Sequence, residues 1–211
     1  MSTLRATEVR MGRPRGFDED AALEAAMRVF WEKSYEGATM ADLTEAMGIN
    51  RSSIYAAFGD KEALFRRAVD RYSEGRMTYM KEALAQPSLL EVTAGLINEA
   101  VEFLSTPGNP RGCLSVQGAL ACSTEAEPVK QAMIERRRSG DAALKKRVQQ
   151  AKSAGELPGE IQPADFARFL SSIMAGLSIQ AASGATKAEL RRVAEIALRS
   201  IETLLSGSVS S

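Results

Sequence analysis

From Thr39 to Phe58 the chain reads TMADLTEAMGINRSSIYAAF, and this run leaves it few choices of local fold. Thr39 is an N-cap residue, and Asp42 stands three positions on, as in a capping box with Asp replacing the usual Glu. Met40, Leu43 and Met47 give the following helix an apolar side. Gly48 stops that helix, and its tolerance of positive φ suits a sharp reversal. Asn50 caps a second, very short helix in which Ile54 and Phe58 point inward, while Ile49 plugs the angle between the two. The spacing predicts a helix-turn-helix. With Leu43, Met47, Ile54 and Phe58 buried, Arg51, Ser52, Ser53, Tyr55 and Ala56 must face outward. That surface is narrow, short in its side chains and free of acid, so it can enter a major groove without repulsion.

The rest of the chain also follows helical periodicity. β-branched and aromatic residues never alternate over a useful length, so no strands are expected. Asp18 caps a first helix with Glu19 and Asp20 in its first turn and Leu23, Met27 and Phe30 on one face, and Gly37 ends it. Gly59-Asp60 closes the short helix and caps a long fourth one through Leu64, Val69 and Tyr72 towards Leu84. Longer segments follow Pro87: Ser88 to Leu104, about Cys113 to Cys122, Pro128 to Ala154, Pro163 to Ser183 and Thr186 to Leu205. The expected fold class is all-α, with about nine helices.

Charge and chemistry narrow the functions. Lys and Arg number 27, as do Asp and Glu, so no whole-protein field draws the chain to nucleic acid and any such affinity must be local. The chain has no histidine, which removes the commonest general base and the commonest metal ligand together. It also lacks GxxxxGK[ST], GxSxG and metal-spaced cysteines, so no enzyme, cofactor or metal is expected. Met1 to Arg15 carries Arg5, Arg10, Arg13 and Arg15 against Glu8, without the apolar stretch of a signal peptide. No later run is apolar enough to span a bilayer, and two cysteines make no disulfide framework, so a cytoplasmic location with no membrane partner is expected. Nine residues apart on one helix, Cys113 and Cys122 would stand about half a turn out of phase and ~13 Å apart, too far to pair. They read as buried small hydrophobes, with a redox role as the alternative.

From Phe17 to Phe65 the chain resembles the DNA-binding domain of the TetR family. The resemblance is carried by Gly37 and Thr39, Ala46-Met47-Gly48-Ile49, the Ile54-Tyr55 pair, Phe58 and Lys61-Glu62-x-Leu64, in order and spacing. It implies that Thr39 and the amides of its helix hold a phosphate, that Asn50 caps the recognition helix, and that Arg51, Ser52 and Ser53 lie over base edges. Arg51 is the candidate for a guanine. Tyr55 would reach a phosphate through its hydroxyl, and Lys61 another. Ala56-Ala57 departs from the bulkier pair found in many members, which leaves base reading to rest more heavily on Arg51. Gly12-Arg13-Pro14-Arg15 resembles the segment before the first helix of many members, where Arg13 and Arg15 would enter an A·T-narrowed minor groove. The alternative for this arm is a disordered basic tail.

The resemblance further implies a ligand-binding and dimerisation domain. Its last two helices carry broad apolar faces, with Phe169, Ile173, Leu177, Ile196, Ile201 and Leu204 as candidates for a homodimer interface. A pocket for a small-molecule effector is expected between the fourth helix and those that follow. Its candidates are Met77, Met80, Leu96, Phe103, Val116, Gln117, Met133, Phe166 and Met174, with Gln180 as a second polar choice. The organisation expected is a flexible basic arm over 1–16, a DNA-binding domain over 17–77, a ligand-binding and dimerisation domain over 78–205, and a disordered tail over 206–211. Such a chain would repress transcription from a near-palindromic double-stranded operator until an effector releases it. The competing reading is a helical small-molecule-binding or scaffold protein with a vestigial helix-turn-helix.

Overall fold

The computed structural model describes residues 16–76, 78–117 and 126–207. Every regular element among them is helical: α1 (Glu19–Gly37), α2 (Met40–Met47), α3 (Arg51–Phe58), α4 (Lys61–Arg76), α5 (Thr78–Leu84), α6 (Leu89–Leu104), α7 (Leu114–Gln117), α8 (Glu127–Ser153), α9 (Pro163–Ala182) and α10 (Lys187–Ser206). Side-chain caps set most of these starts. Asp18 accepts from the amides of Asp20 and Ala21, and Asn50 accepts from that of Ser53. Thr39/Asp42, Ser88/Glu91 and Thr186/Glu189 form complete capping boxes. Pro128 and Pro163 lie in the first turns of α8 and α9, where a missing N–H costs no hydrogen bond.

Residue 77 lies outside the described residues, so the expected fourth helix is described on its two sides, as α4 and α5, and Thr78 Oγ1 donates to the Glu74 carbonyl at 3.1 Å. The expected Cys113 to Cys122 helix is described only as the short α7, with Cys113 just ahead of it and Cys122 outside the described residues. Arg13, Arg15, Met77 and all of the expected tail beyond Gly207 lie outside them as well. Ser206 is the last residue of α10 and Gly207 its C-cap.

Two buried clusters organise the packing. The first draws on α1 to α4, with Met27, Phe30, Trp31, Leu43, Ile54, Phe58, Phe65 and Tyr72 at its centre, and it takes in Cys113, Leu114, Val129 and Met133 from later in the chain. The second joins α5, α6, α8, α9 and α10 through Leu96, Val148, Phe166, Leu170 and Ile201. Leu104 packs on both. The segment before α7 is fastened to α1. Trp31 Nε1 donates to the Gly112 carbonyl at 3.0 Å, and Arg28 donates to that of Gly108. Trp31 also stacks on Phe103 at 5.7 Å and meets Tyr72 edge-on at 4.9 Å.

One position in α1 breaks the helical backbone. Ser34 has φ 62° and ψ 178°, a conformation favoured almost only by glycine, and it turns Tyr35 back against Phe30 and Phe65. Ser34→Gly should therefore stabilise the fold by about 1 kcal/mol and raise Tm by about 2–4 °C. Thermal unfolding followed by circular dichroism checks this. A fall in Tm would show that glycine's extra freedom in the unfolded chain outweighs the strain removed.

Candidate nucleic-acid interface and ligand cavity

The turn between α2 and α3 is built as its sequence requires. Gly48 sits at φ 65° and ψ 21° in the left-handed region, and Ile49 packs half-buried against the first cluster. Leu43, Met47, Ile54 and Phe58 are buried, while Arg51, Ser52, Tyr55 and Ala56 are exposed and Ser53 is half-buried. Asn50 Oδ1 accepts from the Ser53 amide at 2.8 Å and from the Ser52 hydroxyl at 2.7 Å. Arg51 lies over Tyr55, with Nη2 at 3.1 Å from the phenol oxygen and the guanidinium carbon 5.5 Å from the ring centroid. A guanidinium has five donors, so most remain available to a partner. Asn50 with Ser52 and Arg51 with Tyr55 thus form two neighbouring bonded pairs on the first turns of α3.

The other candidates are placed at helix starts. Thr39 caps α2, and its hydroxyl is engaged with Asp42, donating to Oδ2 at 2.8 Å and accepting from the amide at 3.1 Å. Asp42 also pairs with Lys33 at 2.6 Å. The hydrogen bond from Lys33 and those from Thr39 hold its carboxyl far below the usual carboxylate range, so the charge of Asp42 is compensated. Lys61 lies in the first turn of α4 with its ammonium 4.6 Å over the Tyr35 ring, and partial burial lowers its pKa. Sequence reasoning missed Arg67. Its Nη1 donates to the Ala57 carbonyl at 3.1 Å and its guanidinium covers the Phe58 ring at 4.6 Å, which ties α4 to the end of α3. Arg67 stands in the middle of α4, so no local signal in the sequence marked it.

A cavity of about 820 Å³ lies among α4 to α9. Met80, Phe103, Val116, Met133 and Met174 line it, as the sequence suggested. Gln117, Phe166, Leu96 and Gln180 do not. Gln117 Nε2 donates to the Arg111 carbonyl at 3.3 Å, and Phe166 and Leu96 are buried in the second cluster. Those two were drawn from apolar stripes wide enough to face either core or cavity. The wall also holds Tyr79, Cys113, Ser171 and Ser178, which the sequence reading did not select for the pocket. Ser171, Met174 and Ser178 recur at helical spacing, a mixed polar stripe that could have marked it. Cys113 Sγ accepts from the Tyr72 hydroxyl at 3.2 Å, and burial raises the pKa values of Tyr72 and Tyr79 well above the usual range.

The rim of the cavity carries ties between α4 and α8. Arg136 pairs with Asp70 and donates to Ser73 Oγ at 2.8 Å and to the Val69 carbonyl at 3.3 Å. Arg66 pairs with Glu62 at 2.8 Å and reaches the Pro128 carbonyl at 3.3 Å.

The interface candidates divide. Phe169, Ile196 and Leu204 are 43%, 59% and 40% exposed, and Ile173 is half-buried. Leu177 and Ile201 are turned into the chain's own second cluster, on the inner part of apolar faces broad enough to reach both core and surface. Val193 and Ile179 are exposed beside the first group in type and size. Among the described residues no helix is long and apolar enough to cross a membrane, and no group of His, Cys, Asp or Glu could hold a metal ion.

Comparison with known proteins agrees with this arrangement. Residues 22–68 match the model of bacterial regulatory proteins, tetR family, and residues 93–198 match the tetracyclin repressor-like C-terminal domain. The chain is 31% identical over 194 residues to the HTH-type transcriptional repressor ComR of Escherichia coli, spanning 89% of this chain and 90% of ComR. It is 29% identical over 175 residues to the repressor AcnR of Corynebacterium glutamicum, spanning 82% and 87%. Among solved structures it is similar to a cysteine mutant of the TetR family transcriptional regulator CifR complexed with 26-bp double-strand operator DNA. That likeness has a TM-score of 0.84 and 40% identity, and covers 89% of this chain and 98% of the other.

The α4–α8 ties give a direct test. Arg136 is partly exposed, so Arg136→Ala should cost about 1 kcal/mol and leave Asp70 without this partner. A shift in the urea midpoint at constant slope checks it. No shift would mean that solvent already satisfies these groups.

Proposed function

The chain belongs to the TetR family, and from that premise we propose that it is a transcriptional repressor that holds a palindromic operator as a homodimer until a small molecule fills its cavity. The observation that carries this reading is the exposed, acid-free start of α3, where Asn50 and Tyr55 hold Ser52 and Arg51 in place. CifR, 40% identical, is complexed with operator DNA, which supports the same use of this face.

On this reading Arg51 takes a base edge, with Ser52 and Ser53 beside it, and Asn50 sets the helix start from which they project. Tyr55 reaches a phosphate through its hydroxyl. The Thr39 hydroxyl is already bound within the capping box, so the phosphate at α2 is held by the first-turn amides around it. Lys61 adds charge at the start of α4. Arg13 and Arg15 would follow the minor groove, and the arm, the DNA-binding region to residue 77 and the remainder to 205 keep the division of labour expected for them. Cytoplasmic DNA is the partner.

The exposed Phe169, Val193, Ile196 and Leu204 would be covered by a second copy, which sets two α3 helices on successive major grooves ~34–36 Å apart or somewhat more. Control requires that the effector favour one of two arrangements, not merely bind. α4 connects the two sites: it supplies Phe65 and Val69 to the cavity wall and, through Arg67, holds the Ala57 carbonyl of α3.

Selection of duplexes from a random pool by the purified protein tests the function, and recovery of a dyad-symmetric site is the expected result. Against that site, Arg51→Ala should cost about 1–3 kcal/mol per half-site and relax preference at one base position. Uniform weakening on every sequence would move Arg51 to the phosphate class.

Ile196→Asp addresses the interface. It should convert a dimer to a monomer in sedimentation and lower operator affinity with it. A variant that stays dimeric would place the interface elsewhere.

A further inference from the structure

We propose that the cavity takes an uncharged, largely apolar molecule bearing one hydrogen-bonding group, and that Ser178 is the residue that recognises that group. The inference rests on the proposed reading of the cavity as the effector site and adds the chemical class of what enters it.

The buried side chains of the wall, among them Phe65, Val69, Met133 and Leu144 alongside Cys113 and Ser178, carry no charge. Charged groups of the wall are partnered or exposed. Arg136 is held by Asp70 and Ser73, Arg66 by Glu62 and the Pro128 carbonyl, and Asp141 accepts from the Ser171 hydroxyl at 2.8 Å. Lys81, Glu135 and Arg137 face solvent. A ligand charge placed among the buried side chains would lose its hydration without gaining a fixed counter-charge.

Ser178 is different from every other buried residue of that wall. It is 1% exposed, and its Oγ has no hydrogen-bond partner among the described residues. Buried polar groups are nearly always satisfied, so an orphaned hydroxyl at a cavity wall points to a partner that arrives with the ligand. A hydroxyl both donates and accepts, so it suits a carbonyl, an ether or another hydroxyl. The Cys113 sulfur, by contrast, already accepts from Tyr72.

The chain's single tryptophan supplies the readout, because Trp31 stacks on the cavity residue Phe103 at 5.7 Å. The full-length protein is titrated at pH 7 with 1-decanol, decanoate and decylammonium, each below its aggregation concentration, and Trp31 emission is followed. Decanol should bind at least about tenfold more tightly than either ion. Ser178→Ala should weaken decanol about 3- to 10-fold and leave the ions unchanged. The same variant should melt at a higher temperature without ligand, because it no longer buries an unsatisfied hydroxyl, and this also establishes that it folds. An ion that binds as tightly as decanol would overturn the neutral class. Unchanged decanol affinity in Ser178→Ala would remove Ser178 from recognition. Saturable binding by none of the three would instead remove the cavity as a site for such ligands, a failure of the proposed effector site itself.

Discussion

The hydrogen bond from the Trp31 indole to the Gly112 carbonyl lies where water does not reach, and the rest of the packing is arranged around it. An indole N–H that is buried must find an acceptor, and this one finds it 81 residues further along the chain. Gly112 can present its carbonyl there because it has no side chain. Its φ is 85°, and a Cβ would come 2.7 Å from Gln117 Nε2 and 3.0 Å from Ala182. Once the loop is held in this way, Cys113 and Leu114 enter the first cluster and the Tyr72 hydroxyl meets Cys113 Sγ. The core beneath the helix-turn-helix is therefore completed by the half of the chain that walls the cavity. A division at residue 77 follows the chain, whereas the packing crosses it.

Electrostatics solves a different problem. The chain carries 27 basic and 27 acidic residues, so a surface that tolerates phosphate has to be made locally. Near α2 this is done by pairing. Asp42 gives one oxygen to Lys33 and the other to Thr39, which caps the helix and cancels the acid in one residue. Its carboxyl is held below the ordinary range, so the stability it lends is fully present above about pH 4. That stability is lost as the pH falls further towards its folded-state value. Near neutrality the compensation of Asp42 is constant.

Where local chemistry decides a feature, the sequence announced it. The caps at Asp18, Thr39 and Asn50, the left-handed Gly48 and the four buried residues of the helix-turn-helix all follow from residue type and spacing. Features decided by contacts between distant segments were not legible. Nothing in the local pattern says that Ser34 will take a glycine's conformation, since the aromatic packing of Tyr35 imposes it. The same holds for α9 and α10. Each carries an apolar face wider than the core alone needs, so the sequence could not separate Ile196, which is exposed, from Ile201, which is buried five residues later. Arg136 is a further case. Within Arg136-Arg137-Arg138 it reads as solvated surface, and only the approach of α4 gives it Asp70 and Ser73.

On the proposed reading, the magnitudes along α4 have to suit a switch. One of its faces is fixed in the first cluster by Leu64, Phe65, Val69 and Tyr72, all buried, and that attachment is too extensive for a small molecule to undo. Its other ties are of another order. The bonds from Arg136 of α8 to α4, the Arg66 bond to the Pro128 carbonyl of α8 and the Arg67 bond to Ala57 are partly exposed, and each is worth about 1 kcal/mol. Allosteric coupling free energies are typically about 1–3 kcal/mol, comparable to two or three such bonds. A ligand that shifts α8 against α4 therefore works against these bonds and the edge of the first cluster where Val129 and Met133 of α8 enter it, and the packing of α1 to α4 on one another is left in place. It has to exchange the Arg136 and Arg66 bonds for contacts of its own, while the Arg67 bond stays and α3 follows α4 because the Ala57 carbonyl is held from that side.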